Sequence, residues 1–134
     1  MFTVRRTLSA AFGCLLATAG IVAAPLPAMA ALPTCTTFKV YYDANVPSTG
    51  SGSVDCLMSQ GAHSEAVLFL QYTLNYCYSA GLTQDADFGP RTKAALIKAQ
   101  RAAGAAQDGG YGPETRSKIQ HRGAPPIFGC LRVP

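Results

Sequence analysis

Asp85-Ala86-Asp87-Phe88-Gly89-Pro90-Arg91-Thr92 returns 23 residues later as Asp108-Gly109-Gly110-Tyr111-Gly112-Pro113-Glu114-Thr115. Both copies read Asp, two linking residues, an aromatic, Gly, Pro, any residue, Thr. Such a string starts a helix for physical reasons. An Asp folds its carboxylate back onto the backbone N–H groups that follow, and Gly admits positive φ. Pro at the first helical position gives up an N–H that would be unpaired there anyway. Two copies in register predict two helices that enter one core by the same device, with Phe88 and Tyr111 at the junctions.

Three helices follow from this anchor. Ser64 is a good N-cap for a helix from Glu65 to about Ala80, with Gly81 as its stop. Val67, Leu70, Leu74, Cys77 and Tyr78 share one face at helical spacing. The second helix runs from Pro90 to about Ala103 and ends at Gly104, with Thr92, Ala95, Leu96 and Ala99 inward and Lys93, Lys98 and Arg101 outward. The third runs from Pro113 to about His121 and leans on Ile119; Pro125-Pro126 then forbids helix. Ahead of them, Phe38–Tyr42 reads as a strand and Gly50–Val54 as a flexible turn with a short return. The expected fold is all-α: a compact three-helix bundle with a small disulfide-closed β-like N-terminal extension.

Leu57-x-x-x-Gly61, Val67-x-x-Leu70-Gln71-x-x-Leu74, Asp85 to Thr92 with Ala95-Leu96-x-x-Ala99-Gln100-x-x-x-Gly104, and Asp108 to Thr115 together resemble the three-helix peptidoglycan-binding domain of bacterial wall proteins. The resemblance spans about Leu57 to Gln120. It implies a non-catalytic module that holds its bearer on cell-wall peptidoglycan, through the stem peptide or the glycan. Three positions depart from the pattern. Ala86 stands where the first turn usually has Gly, so that turn is reshaped or strained. Ser64 replaces a usual Gly, and Ala99 replaces a large aromatic, leaving space for the N-terminal segment or the Cys130 tail to fill. Such modules commonly accompany a hydrolase domain, and residues 31–56 and 121–134 are too short to hold one.

The start of the chain predicts export. Arg5 and Arg6 precede an apolar run from Leu8 to Ala24, then Pro25, Pro27 and the triplet Ala28-Met29-Ala30. That pattern is a secretory leader cleaved after Ala30. An uncleaved anchor is the alternative, and the prolines and cleavage triplet argue against it. The Arg pair is a weak twin-arginine match, and the residues before Cys14 make a poor lipobox. Expected divisions are 1–30 leader, 31–56 disulfide-closed extension, 57–122 peptidoglycan-binding-like domain and 123–134 disulfide-pinned tail. The expected location is secreted, extracellular or wall-associated, with no membrane contact after cleavage. The leader holds two cations and no acid, so its removal lowers the net charge from +4 to +2. Without basic runs there is no reason to invoke nucleic acid.

Cys35, Cys56, Cys77 and Cys130 remain, an even count that in a small exported chain reads as two disulfides. Three pairings are possible. Cys35–Cys56 with Cys77–Cys130 is favoured, because the first closes the strand segment and the second pins the tail to the first helix. Zinc, with His63 and His121 as further ligands, is disfavoured because no two cysteines lie two to four residues apart. No cofactor is expected.

Candidate ligand-contacting residues are Arg91, Arg116, Phe88, Tyr111, Asp85 and Asp87. Stem peptides carry carboxylates, and Arg side chains beside helix N-termini are natural acceptors for them. Phe88 and Tyr111 either flank a groove or plug the core, and the two Arg are either ligand contacts or surface charges. Asp85 and Asp87 also invite a glycosidase carboxylate-pair reading. They lie two apart on one turn where Asp ordinarily caps backbone, so the chain is not expected to be an enzyme. His63 and His121 read as solvated or capping. The second function class is a disulfide-stapled interaction or inhibitor protein on the same scaffold, whose partner is a wall hydrolase or another secreted protein. A monomer is expected.

Overall fold

The computed structural model describes residues 31–134; the expected leader at 1–30 lies outside the described residues. Local chemistry sets the helix ends. Ser64 is extended and its hydroxyl accepts the Val67 N–H, so α1 runs Glu65–Tyr78. Ser79, at φ 51°, closes that helix by donating to the Asn75 and Leu74 carbonyls. The stop predicted at Gly81 is thus supplied two residues earlier. Helix α2, Pro90–Ala103, has Pro at its start and Gly104 at φ 69° as its cap. Helix α3, Pro113–Lys118, begins the same way but covers six residues. It stops short of His121 because Ile119 is already extended.

Strands β1 (Thr37–Tyr41) and β2 (Ala44–Ser48) form an antiparallel hairpin with Tyr41 opposite Ala44. Its turn is Tyr42-Asp43, both at positive φ (46° and 60°), which matches the twist of the strands. The return strand is therefore Ala44–Ser48 and not the predicted Gly50–Val54. A second antiparallel hairpin, β3 (Gln120–Arg122) with β4 (Cys130–Arg132), occupies the C-terminal segment.

The expected all-α bundle is incorrect. Helices of 14, 14 and 6 residues share the fold with two small sheets, and α1 packs against β1, β2 and β3 as well as α2. The reason lies in α1, whose apolar surface is wider than one face. Val67, Leu70 and Leu74 face the main core, while Phe69 and Tyr72 are half-buried on another side. A six-residue α3 is too short to cover the rest, and the hairpins do so. The main core joins α1 to Phe88, Leu96, Ala99, Tyr111 and Ile119. A smaller cluster of Ala44, Val46 and Val133 seals the two hairpins together. Burying one such Leu or Val contributes roughly 1.5–3 kcal/mol. Cys35–Cys56 is bonded inside the main core, and Cys77–Cys130 bonds the last turn of α1 to β4.

Candidate functional site

Two buried glutamines build the repeated turns. Gln71 of α1 donates to Asp85 Oδ1 (2.9 Å), the Asp87 carbonyl (2.9 Å) and Thr92 Oγ1 (3.2 Å). Its own carbonyl accepts the Asp85 and Ala86 N–H groups, both at 3.1 Å. Gln100 of α2 repeats the pattern, donating to Asp108 Oδ1, the Gly110 carbonyl and Thr115 Oγ1 at 2.8–3.0 Å while accepting from Gly109 N. Each Asp also accepts an N–H two residues on, from Asp87 or from Gly110. A buried amide is costly unless satisfied, and here each one is. Hydrogen bonding to Gln71, then to the Asp87 backbone, holds the Asp85 carboxyl below its usual range.

These networks place the sequence candidates. Asp85 is engaged in its own turn. Asp87 meets His63 Nδ1 at the surface, where both side chains are about two-thirds exposed. Phe88 and Tyr111 are 2% and 1% exposed, so both plug the core and neither offers a ring face to a ligand. Their backbones pair with the loop before α1, Phe88 with Gly61 and Ala62 and Tyr111 with Met58. Tyr111 Oη lies 3.0 Å from Nε2 of His121. His121 is wholly buried, against the expectation that it is solvated or capping. Burial lowers its pKa to about 4, with nearby Arg116 acting in the same direction.

The two arginines at equivalent places differ. Arg116 Nη1 donates to Asp55 at 2.6 Å, its side chain is 11% exposed, and its guanidinium lies 5.9 Å from the Tyr41 ring centre. It fastens α3 to the N-terminal segment. Arg91 is exposed and has no hydrogen bond or ion pair among the described residues. It stands on a groove of about 450 Å³ between the end of α1 and α2. One wall is Tyr78 to Leu82; the other is the α2 face carrying Arg91, Lys98 and the methyls of Ala94, Ala95, Ala99 and Ala102. Lys98, two turns from Arg91 and so about 10 Å along the helix, was foreseen only as outward-facing.

Among the described residues no acidic side chain lines this groove. Two cations flank the exposed methyls of Ala94 and Ala102, with Ala95 and Ala99 buried beneath them, a surface chemically suited to a short chain bearing carboxylates and small apolar groups. Ala99 belongs to the lining. It is itself wholly buried within the main core. A smaller hollow of about 170 Å³, lined by Gln71, Asp85, Asp87 and Thr92, shares Leu82 and Arg91 with it. With the four described cysteines in disulfides, none is left as a thiolate nucleophile or zinc ligand.

Residues 63–119 match the family model described as "Putative peptidoglycan binding domain". No curated protein matches the chain. The matched segment holds both glutamine-built turns and the whole α1–α2 groove, while both hairpins fall outside it. It supports peptidoglycan as a binding partner, and together with the disulfides it fits an extracellular or wall location. Among the described residues no helix is long and apolar enough to cross a membrane.

Proposed function

We propose that this chain, with its peptidoglycan-binding family segment at residues 63–119, is an exported, non-catalytic module that binds peptidoglycan in the α1–α2 groove. Stem-peptide carboxylates meet Arg91 and Lys98, and the peptide's small side chains lie on the alanine methyls. The observation that carries this reading is the asymmetry of the repeat: Arg116 is occupied by Asp55, whereas Arg91 has no partner among the described residues and stands on the groove. Asp85 and Asp87, the pair considered for catalysis, are held by Gln71 and His63 on one turn, which supports binding over hydrolysis. The leader at 1–30 supports export and cleavage after Ala30, and N-terminal sequencing of secreted material tests it.

Sedimentation with insoluble peptidoglycan tests the groove. Arg91→Ala and Lys98→Ala should each weaken wall binding by about 1.5–3 kcal/mol, the range for a hydrogen bond to a charged group. Their melting temperatures should match the parent, since exposed cations contribute little to folding. Arg116→Ala should instead lower the melting temperature, because it releases α3 from Asp55. If both groove variants sediment like the parent, the wall ligand binds elsewhere.

A further inference from the structure

We propose a second ligand site, on another face of α1, that takes an acidic sugar ring: a pyranose bearing a carboxylate. It does not depend on the α1–α2 groove, and the hairpins that build it lie outside the family segment. Phe69, Tyr72 and Tyr76 fall at i, i+3 and i+7 on α1, one helical face distinct from the core face of Val67, Leu70 and Leu74. Phe38 of β1 stacks on Phe69 with an interplanar angle of 16°, and Phe69 meets Tyr72 edge-on. The far end of this aromatic stripe is covered by Arg122 of β3, whose guanidinium lies 6.0 Å and 5.2 Å from the Tyr72 and Tyr76 ring centres.

Arg122 is prepared for an anion. Its backbone N–H donates to Thr73 Oγ1, which fixes the strand to α1, and two rings hold its guanidinium. That guanidinium has no ion pair or hydrogen bond among the described residues. Across the hollow stands Phe128, 72% exposed. The loop that carries it is tied down by Gly123 N–H to Gly129, Ile127 N–H to Ala124 and Ala124 N–H to Asp43, and it runs straight into the bonded Cys130. Gly123 is obligatory there, since a Cβ would sit 2.4 Å from the Ile127 carbonyl oxygen. Phe128 lies outside both core clusters and lines the hollow.

The hollow measures about 410 Å³, and among the described residues no acid lines it. That size accommodates a single sugar ring. An apolar occupant would desolvate Arg122 without pairing it, and a simple anion would leave the aromatic faces wet. A pyranose with a carboxylate satisfies both. Its C–H face packs on Phe128 and the Phe38–Phe69 stack, its carboxylate takes the Arg122 fork in two parallel hydrogen bonds, and its hydroxyls reach Asn45. Uronic acids and muramyl sugars freed of their peptide share this chemistry.

Titration by NMR or calorimetry separates these sources, using oligogalacturonate, a peptide-free muramyl disaccharide and a neutral N-acetylglucosamine oligomer. At least one acidic probe should bind ten-fold or more tighter than the neutral one. Arg122→Gln should abolish that preference. Arg122→Lys, which keeps the charge and packing stem but lacks the fork, should lose most of it. Phe128→Ala should weaken every probe ten-fold with an unchanged melt. Arg91→Ala should leave all of these affinities unchanged, so that failure here and failure of the α1–α2 groove are read apart. Equal binding of acidic and neutral probes, acidic binding untouched by Arg122→Lys, or occupancy only by a folded protein partner would each overturn the site.

Discussion

Ala86 shows how far one residue can depart from a repeated pattern without breaking it. Its φ is 64°, within a few degrees of the 70° at Gly109, the equivalent position in the second turn. The turn anticipated as reshaped or strained is therefore the same turn, with an alanine in left-handed backbone. That costs an L residue about 1–2 kcal/mol, partly offset by the lower unfolded-state entropy of Ala relative to Gly. Ala86→Gly should stabilise the protein by up to about 1 kcal/mol in urea unfolding, without altering wall binding. The reverse change, Gly109→Ala, should destabilise, since its Cβ would also come within 2.7 Å of Lys93 Cγ. At this scale much was legible in the sequence, because Asp, Gly and Pro act on their own neighbours. The role of Arg116 was not legible: its partner Asp55 is 61 residues away, and no local rule brings the two together.

Among the elements, those with local start and stop chemistry were readable and those without were not. Ser64, Pro90 and Gly104 announce α1 and α2. The β1–β2 turn hides because Tyr42-Asp43 contains no glycine, and β3 and β4 hide because three residues carry no period. The groove was partly readable, through Arg91. Its shape depends on where the end of α1 lies beside α2, which only packing decides. The β3–β4 hairpin also depends on a covalent tie, since Cys77–Cys130 closes a separation of 53 residues. In the chain-entropy model that tie is worth about 4 kcal/mol, against about 3 for a closure the size of Cys35–Cys56. Changing Cys77 and Cys130 together to Ala should lower stability by a few kcal/mol and raise amide exchange from residue 120 onward. Exchange in α2 should rise only with global unfolding. Uniform loss of protection would mean that the hairpin is integral to the core without its disulfide.

For the whole molecule, His121 joins the repeat to the added hairpin, and its burial makes the assembly pH-dependent. The imidazole sits against Tyr111 Oη with Nδ1 unpartnered among the described residues, so a second ring proton would have no acceptor. Its folded pKa of about 4 lies below the ordinary 6.5, with desolvation the main cause and Arg116 the nearby like charge. The unfolded chain therefore binds the proton first as pH falls. Stability is full above about pH 6.5 and declines toward pH 4, by about 3 kcal/mol if the whole shift is realised. Asp85, held below its usual 3.8, adds a further loss at still lower pH. Tyr111 works from the other side: burial raises its pKa above 10, so neutral phenol stabilises up to that pH and the benefit is lost beyond it. Urea unfolding at pH 7.5, 5.5 and 4.5 should show the acid decline, and His121→Gln should flatten it while lowering stability at pH 7.5. A parent curve that stays level from pH 7.5 to 4.5 would mean that the imidazole reaches water without unfolding. The β3–β4 hairpin would then open on its own, leaving the α1–α2 groove intact, and wall sedimentation at pH 4.5 would be undiminished.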